Sequence, residues 1–131
     1  MATIHKEITI GAGADAVWAA IRDVGALHER LVPGFVVDTR LEPGARVVTF
    51  ANGLVARELI VTIDDAARRL VWSVVGSPRM THHNAALQAF ADGERTRVTW
   101  TADVLPDEVA PQIAGMMDQG MAAMKRTLDR R

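Results

Sequence analysis

The sequence predicts an α+β fold: a seven-stranded antiparallel curved sheet gripping a long C-terminal helix, with two short helices after the first strand. Three observations predict it. From Val109 onward the apolar positions Val109, Ile113, Met116, Met117, Met121, Met124 and Leu128 follow the spacing of a helix with one buried face. Between residues 33 and 104 the chain reads instead as six short strands separated by turn residues. A helical pattern then stands between the first strand and that run, over Ala14 to Asp23.

Taken in order, Thr3 to Ile10 alternates, with Ile4, Ile8 and Ile10 on one face and His5, Glu7 and Thr9 on the other. Lys6 falls on the apolar side, where its stem can pack while the ammonium reaches water. Gly11-Ala12-Gly13 breaks the strand. Ala14, Val17, Trp18 and Ile21 then recur at helical spacing, with Asp15 near the positive N-terminal end. After Gly25 a second short helix fits Ala26 to Arg30, stopped by Val32-Pro33-Gly34. The six strands are read at 35–41, 45–51, 54–63, 68–75, 82–91 and 95–104. Between them lie Glu42-Pro43-Gly44, Ala51-Asn52-Gly53, Asp64-Asp65, Gly76-Ser77-Pro78 and Asp92-Gly93. Asn-Gly and Asp-Gly favour tight hairpins because they tolerate positive φ, and short turns make neighbouring strands antiparallel. Acidic residues of Leu105-Pro106-Asp107-Glu108 open the last helix, and Pro111 fits only its first turn.

The whole composition narrows the functional classes. The chain has 131 residues, enough for one domain with a core of its own, read as a single unit over 1–131. Fifteen basic and sixteen acidic residues give a formal charge of −1, so no broad basic face is available for nucleic acid. The basic group Lys125, Arg126, Arg130 and Arg131 is read as complementing the dipole at a helix C-terminus. There is no cysteine, which removes disulfides, thiol nucleophiles and thiolate metal sites. No apolar run reaches the ~18 residues of a membrane span, and a cytoplasmic protein is the expectation. No His-rich spacing suggests zinc and no glycine-rich loop suggests phosphate, so no cofactor is implied. Serine occurs only at Ser73 and Ser77, away from any nucleophile elbow, and tyrosine is absent.

One helix, ~10–12 Å across, cannot fill the concave side of a seven-stranded sheet. Only six aromatic residues are available to help, so a cavity is expected. At this point the chain resembles the SRPBCC, or START-like, helix-grip superfamily, and within it the polyketide cyclase/dehydrase-like group. The resemblance runs through Ile8-Thr9-Ile10, Ala14-Asp15-Ala16-Val17-Trp18, Asp23 and Pro33-Gly34. It continues in Arg69-Leu70-Val71-Trp72, in Asp92-Gly93-Glu94-Arg95-Thr96-Arg97-Val98-Thr99-Trp100, in Asp103-Val104-Leu105-Pro106 and in Met124-Lys125-Arg126-Thr127-Leu128. It implies a β-grip enclosing an apolar cavity and much less about activity, because one fold hosts many functions.

Strand parity then nominates residues. Leu70, Trp72 and Val74 face in together, as do Val98, Trp100 and Ala102, which makes Trp72 and Trp100 candidate cavity walls or plain core. In strand 82–91 Leu87 and Ala89 argue for His83 inside and Phe90 for His82; His83 is read as the inward one, which leaves Asn84 and Gln88 outside. A cavity histidine suits general-base work or simple hydrogen bonding. Counting back by twos from Ile63 through Val61 and Leu59 brings Arg57 and Val55 inside, and a slip of one would bring in Glu58 instead. An inward Arg57 would pair a carboxylate, enolate or phenolate; the other reading leaves it an exposed charge at the rim. Arg79 and His28 are read as surface residues near the entrance. Along the helix, Ile113, Met117, Met121 and Met124 supply an adaptable apolar wall. Gly120 on the same face leaves room for a ligand or lets helix and sheet approach. The expected ligand set is therefore Trp72, Trp100, Leu87, Ile113, Met117, Gly120, Met121 and Met124, with His83 and Arg57 as candidate catalytic groups. Three functions stay open. They are binding of a hydrophobic small molecule such as a lipid or polyketide, a cyclase/dehydrase-like reaction with acid–base assistance, and a protein partner bound through the sheet.

Overall fold

Alternating burial along Ala2–Ile10 makes β1 a strand with one covered face, and it lies antiparallel beside the last strand of the chain. The computed structural model describes residues 1–129, so Arg130 and Arg131 of the basic C-terminal group lie outside the described residues. After β1 come helix α1 (Ala14–Arg22), a 3-10 turn at Val24–Ala26 and a π-helical turn at Leu27–Leu31. Six strands follow: β2 (Val36–Glu42), β3 (Ala45–Phe50), β4 (Val55–Asp64), β5 (Arg69–Val75), β6 (His82–Asp92) and β7 (Arg95–Leu105). One 3-10 turn at Asp107–Val109 leads into α2 (Ala110–Leu128), with its proline in the first turn. The sheet order is β1-β7-β6-β5-β4-β3-β2, and every pairing is antiparallel. The Asp92-Gly93 hairpin turns on a positive φ at Gly93, a conformation a Cβ would oppose.

The concave face holds the core. Ile10, Val17, Ile21, Leu70, Leu87, Val98, Met117 and Met124 are all buried there. α1 closes one end of the sheet, packed on β6 and β7, and α2 lies mainly against β1. Polar contacts fix both helices. Trp18 Nε1 and Arg22 Nε donate to Asp65 Oδ1 at 2.9 and 2.8 Å, tying α1 to the β4–β5 turn. Lys6, on the inner face of β1, reaches Asp118 of α2 at 3.0 Å.

β4 departs from a regular alternation. Glu58 pairs with Val74 and Ile60 with Trp72, but the next pair is Thr62 with Val71, so a β-bulge adds one residue between Ile60 and Thr62. An extra residue reverses the facing of everything before it. Ile63 shares the face of Leu70, as the count assumed, whereas Glu58 and Ile60 take the inner side. Val55, Leu59 and Val61 are left exposed, and Arg57 is corrected to the outer face.

Candidate functional site

A cavity of about 510 Å³ lies between the concave face, α2 and the loops at one end of the sheet. Its size falls within the range of small-molecule sites, about 300–1,000 Å³. Ile113, Met116, Met117 and Met124 come to it from α2, because positions three, four and seven apart share one helix face. Trp72, Leu87 and Trp100 come from the sheet, and Phe35 and Phe50 from the two ends of the β2–β3 hairpin. The indoles of Trp72 and Trp100 meet at 5.9 Å between centroids with their planes tilted by 52°.

Two members of the expected set do not reach the cavity lining. Met121 is buried within the core instead. Gly120 has its space taken by the sheet: a Cβ there would stand 2.7 Å from Trp100 Cζ3 and 3.2 Å from Phe35 Cε2. The close-approach alternative is therefore the one the packing realises. Met116, Phe35 and Phe50 line the cavity without having been singled out, and Arg79 of the β5–β6 loop does so while bonding Gln112. His28 is bonded to Thr39 and lies outside the lining.

The polar part of the sheet wall is one rung, to which Ser77 and Arg79 of the β5–β6 loop and Gln112 of α2 add polar groups from outside the sheet. Arg46 of β3 stands opposite Glu58 of β4, and Glu58 opposite Val74 of β5. Arg46 is only 3% exposed and Glu58 5%, and Arg46 Nε donates to Glu58 Oε1 at 2.8 Å. The guanidinium also donates to the Val24 carbonyl through Nη1 and lies 5.8 Å from the centroid of Trp72. By contrast the side chain of Arg57 is 48% exposed and its Nε donates to Glu42 Oε1 at 3.0 Å. Arg57 borders the mouth, but its charge is spent outside. Sequence reasoning passed over Arg46, although two steps back from the buried Val48 reaches it on the same face.

His83 extends that rung. The β5–β6 ladder ends at Trp72 opposite Ala85, and beyond it the backbone N–H of Val74 donates to His83 Nδ1 at 3.1 Å. Ser73 Oγ donates to the His83 carbonyl. The side chain thus replaces a ladder bond where the two strands part. Burial, and then the neighbouring His82, push the His83 imidazole down to about 4, so the ring is neutral near pH 7. A neutral imidazole has one N–H, and an Nδ1 that accepts leaves that proton on Nε2. The ring therefore offers a donor, not a base, on its other side.

The free atoms of this rung are not sealed in. Among the described residues, Trp100 Nε1 is the one buried side-chain polar atom that is both covered and without a partner. His83 Nε2 and the second Glu58 oxygen have no hydrogen-bond partner among the described residues, so both keep some accessible surface, and both side chains line the cavity. Among the described residues no three His, Asp or Glu side chains come together to hold a metal. No described helix is long and apolar enough to cross a membrane.

This architecture recurs in solved structures. A protein from Bacillus thuringiensis superposes with a TM-score of 0.86 at 18% identity, covering 97% of this chain and 98% of its own. A START superfamily protein from Mycobacterium smegmatis gives 0.72 at 11% identity, with 97% and 94% covered. The di-domain ARO/CYC protein BexL gives 0.74 at 17% identity, with 97% of this chain laid over 46% of that one. At these identities the likeness is one of fold. No curated protein is significantly similar to the chain. The model of the family described as polyketide cyclase/dehydrase and lipid transport, however, matches residues 1–129, through every strand and helix that builds the cavity. A curved sheet closed on a C-terminal helix, with that match along it, makes the chain a member of the polyketide cyclase/dehydrase and lipid transport family.

Proposed function

We propose that the chain is a container for one apolar or aromatic small molecule, a lipid, polyketide or related metabolite. The observation that carries this is the cavity of about 510 Å³ with aromatic and methionine walls and few polar groups, of which Arg46, Glu58 and His83 form one rung across the sheet. Such a site gains affinity from apolar area and orientation from a few placed polar groups. Methionine side chains bend to irregular shapes, so the α2 wall suits a ligand family rather than one outline.

The experiment is uptake of Nile red by the intact chain, with Met117→Trp as the blocking variant and near-UV circular dichroism to check its fold. Met117 is 1% exposed and lines the cavity, so a larger ring there takes ligand space. Binding near one dye per chain, weakened at least tenfold in the variant, supports the reading. No uptake, or equal uptake by a folded variant, overturns it.

One observation favours a second reading, a cyclase/dehydrase-like step. A carboxylate oxygen of Glu58 and the N–H of His83 share the rung. Holding a flexible polycarbonyl chain beside an acceptor and a donor assists enolisation by proximity. In that step Glu58, not His83, is the group able to receive the proton.

A further inference from the structure

We infer that the ligand carries an uncharged hydroxyl group, phenolic or enolic, seated on the rung between His83 and Glu58. The inference rests on the container reading and names the chemistry of what is held. His83 Nε2 presents a donor, because Nδ1 is occupied by the Val74 N–H at 3.1 Å. Glu58 presents an acceptor, because only its Oε1 is engaged by Arg46. A hydroxyl group both accepts and donates, so it suits a wall that offers one donor and one acceptor. A ketone oxygen leaves the carboxylate without a donor, and a hydrocarbon leaves both groups dry and unpaired.

Charge argues in the same direction. The guanidinium of Arg46, the cation that would attract a carboxylate, is already held by Glu58 at 2.8 Å and by the Val24 carbonyl. Arg57 and its charge face Glu42 on the other side of the sheet. A ligand carboxylate brought to the rung would be desolvated beside the Glu58 anion, with no free cation among Arg46 and Arg57 to meet it. An ammonium would meet Arg46 in the same way. Arg79, which lines the cavity without a carboxylate partner among the described residues, stands on the β5–β6 loop bonded to Gln112 and not on the rung. A neutral rung selects a neutral polar group.

The test compares three bicyclic probes of similar outline by fluorescence titration and calorimetry: 2-naphthol, 2-methylnaphthalene and 2-naphthoate, at a pH where the naphthol is neutral. The expected order is 2-naphthol tightest, about tenfold tighter than 2-methylnaphthalene, which is the worth of two modest hydrogen bonds. The naphthoate is expected to be weaker than both. His83→Asn keeps an acceptor for the Val74 N–H and removes the Nε2 donor, so it should shrink the advantage of naphthol over 2-methylnaphthalene at least threefold. Equal binding of naphthol and methylnaphthalene overturns the hydroxyl inference and leaves the container standing. Tightest binding of naphthoate overturns it too, by showing that a cation faces the ligand. Failure of all three probes to bind, together with absence of Nile red uptake, overturns the container reading itself. The wild-type series decides the question even where the variant folds poorly.

Discussion

Lowering the pH from about 7.5 to about 5 should destabilise this protein through one side chain. His83 is 7% exposed, and its folded value of about 4 lies below the 6.5 of an ordinary imidazole. Between those two values the unfolded chain binds more protons than the folded one, so the free energy of unfolding falls as the pH falls. The contribution is complete above about 6.5 and is lost progressively toward 4. Integrated over the stated interval, the loss is about 2 kcal/mol, which at a urea slope near 2 kcal/mol/M moves the midpoint by about 1 M. Other ionisable groups lie close by, His82 next in the chain and Glu58 across Val74. The assay therefore compares two pH-dependences, that of the wild type and that of His83→Asn. Asparagine keeps an acceptor near the position of Nδ1 for the Val74 N–H and has no proton to gain. Urea unfolding followed by tryptophan fluorescence should show the wild type losing about 2 kcal/mol more than the variant over the interval. Equal losses would refute the reasoning, because His83 would then titrate as a solvated ring and could not hold a fixed Nε2 proton toward the cavity.

Two further outcomes follow from packing and register. Gly120→Ala adds a Cβ 2.7 Å from Trp100 Cζ3 and 3.1 Å from its Cη2; overpacking of about 1–3 kcal/mol outweighs a helix gain of about 1, so thermal unfolding should show a net loss. A variant as stable as the wild type would mean that the indole yields without cost. Arg46→Met should cost about 3–5 kcal/mol by stranding the Glu58 carboxylate, whereas Arg57→Met should stay within about 0.5. Urea midpoints measure both, and similar losses would return Arg57 to the interior.

Most of the architecture was legible because its signals are local. Alternation of Ile4, Ile8 and Ile10, the Asp92-Gly93 turn and the helical spacing from Ile113 to Leu128 depend on nearby residues alone, and all three elements stand where they were read. His83, Trp72 and Trp100 face inward because β5, β6 and β7 keep regular parity across the stretch that carries them. What was not legible depends on contacts between elements. Gly120 reads equally well as ligand space or as a close approach until Trp100 is seen filling it. The tie between Val74 and His83 exists only because two strands part beyond Trp72. No residue in either strand announces that.

The bulge in β4 decides what kind of cavity this is. With an unbroken register back from Ile63, Val55, Arg57, Leu59 and Val61 would face inward and Glu58 would be solvated. The extra residue before Thr62 puts Glu58 inside with Arg46 and leaves Val55, Leu59 and Val61 at 63%, 36% and 56% exposure. As a contribution to stability this exchange is poor. A fully buried valine or leucine is worth roughly 1.5–3 kcal/mol, while a buried ion pair is at best close to neutral against apolar residues of the same volume. Folding energetics alone would favour the regular strand. The bulge instead places an anion with one open oxygen on the same cavity wall as a histidine with one open N–H, in a cavity whose walls are otherwise largely apolar. Arrangements that weaken the fold while arranging polar groups are characteristic of binding sites. On that argument the bulge at Ile60–Thr62, rather than any single side chain, sets the polarity of the cavity wall.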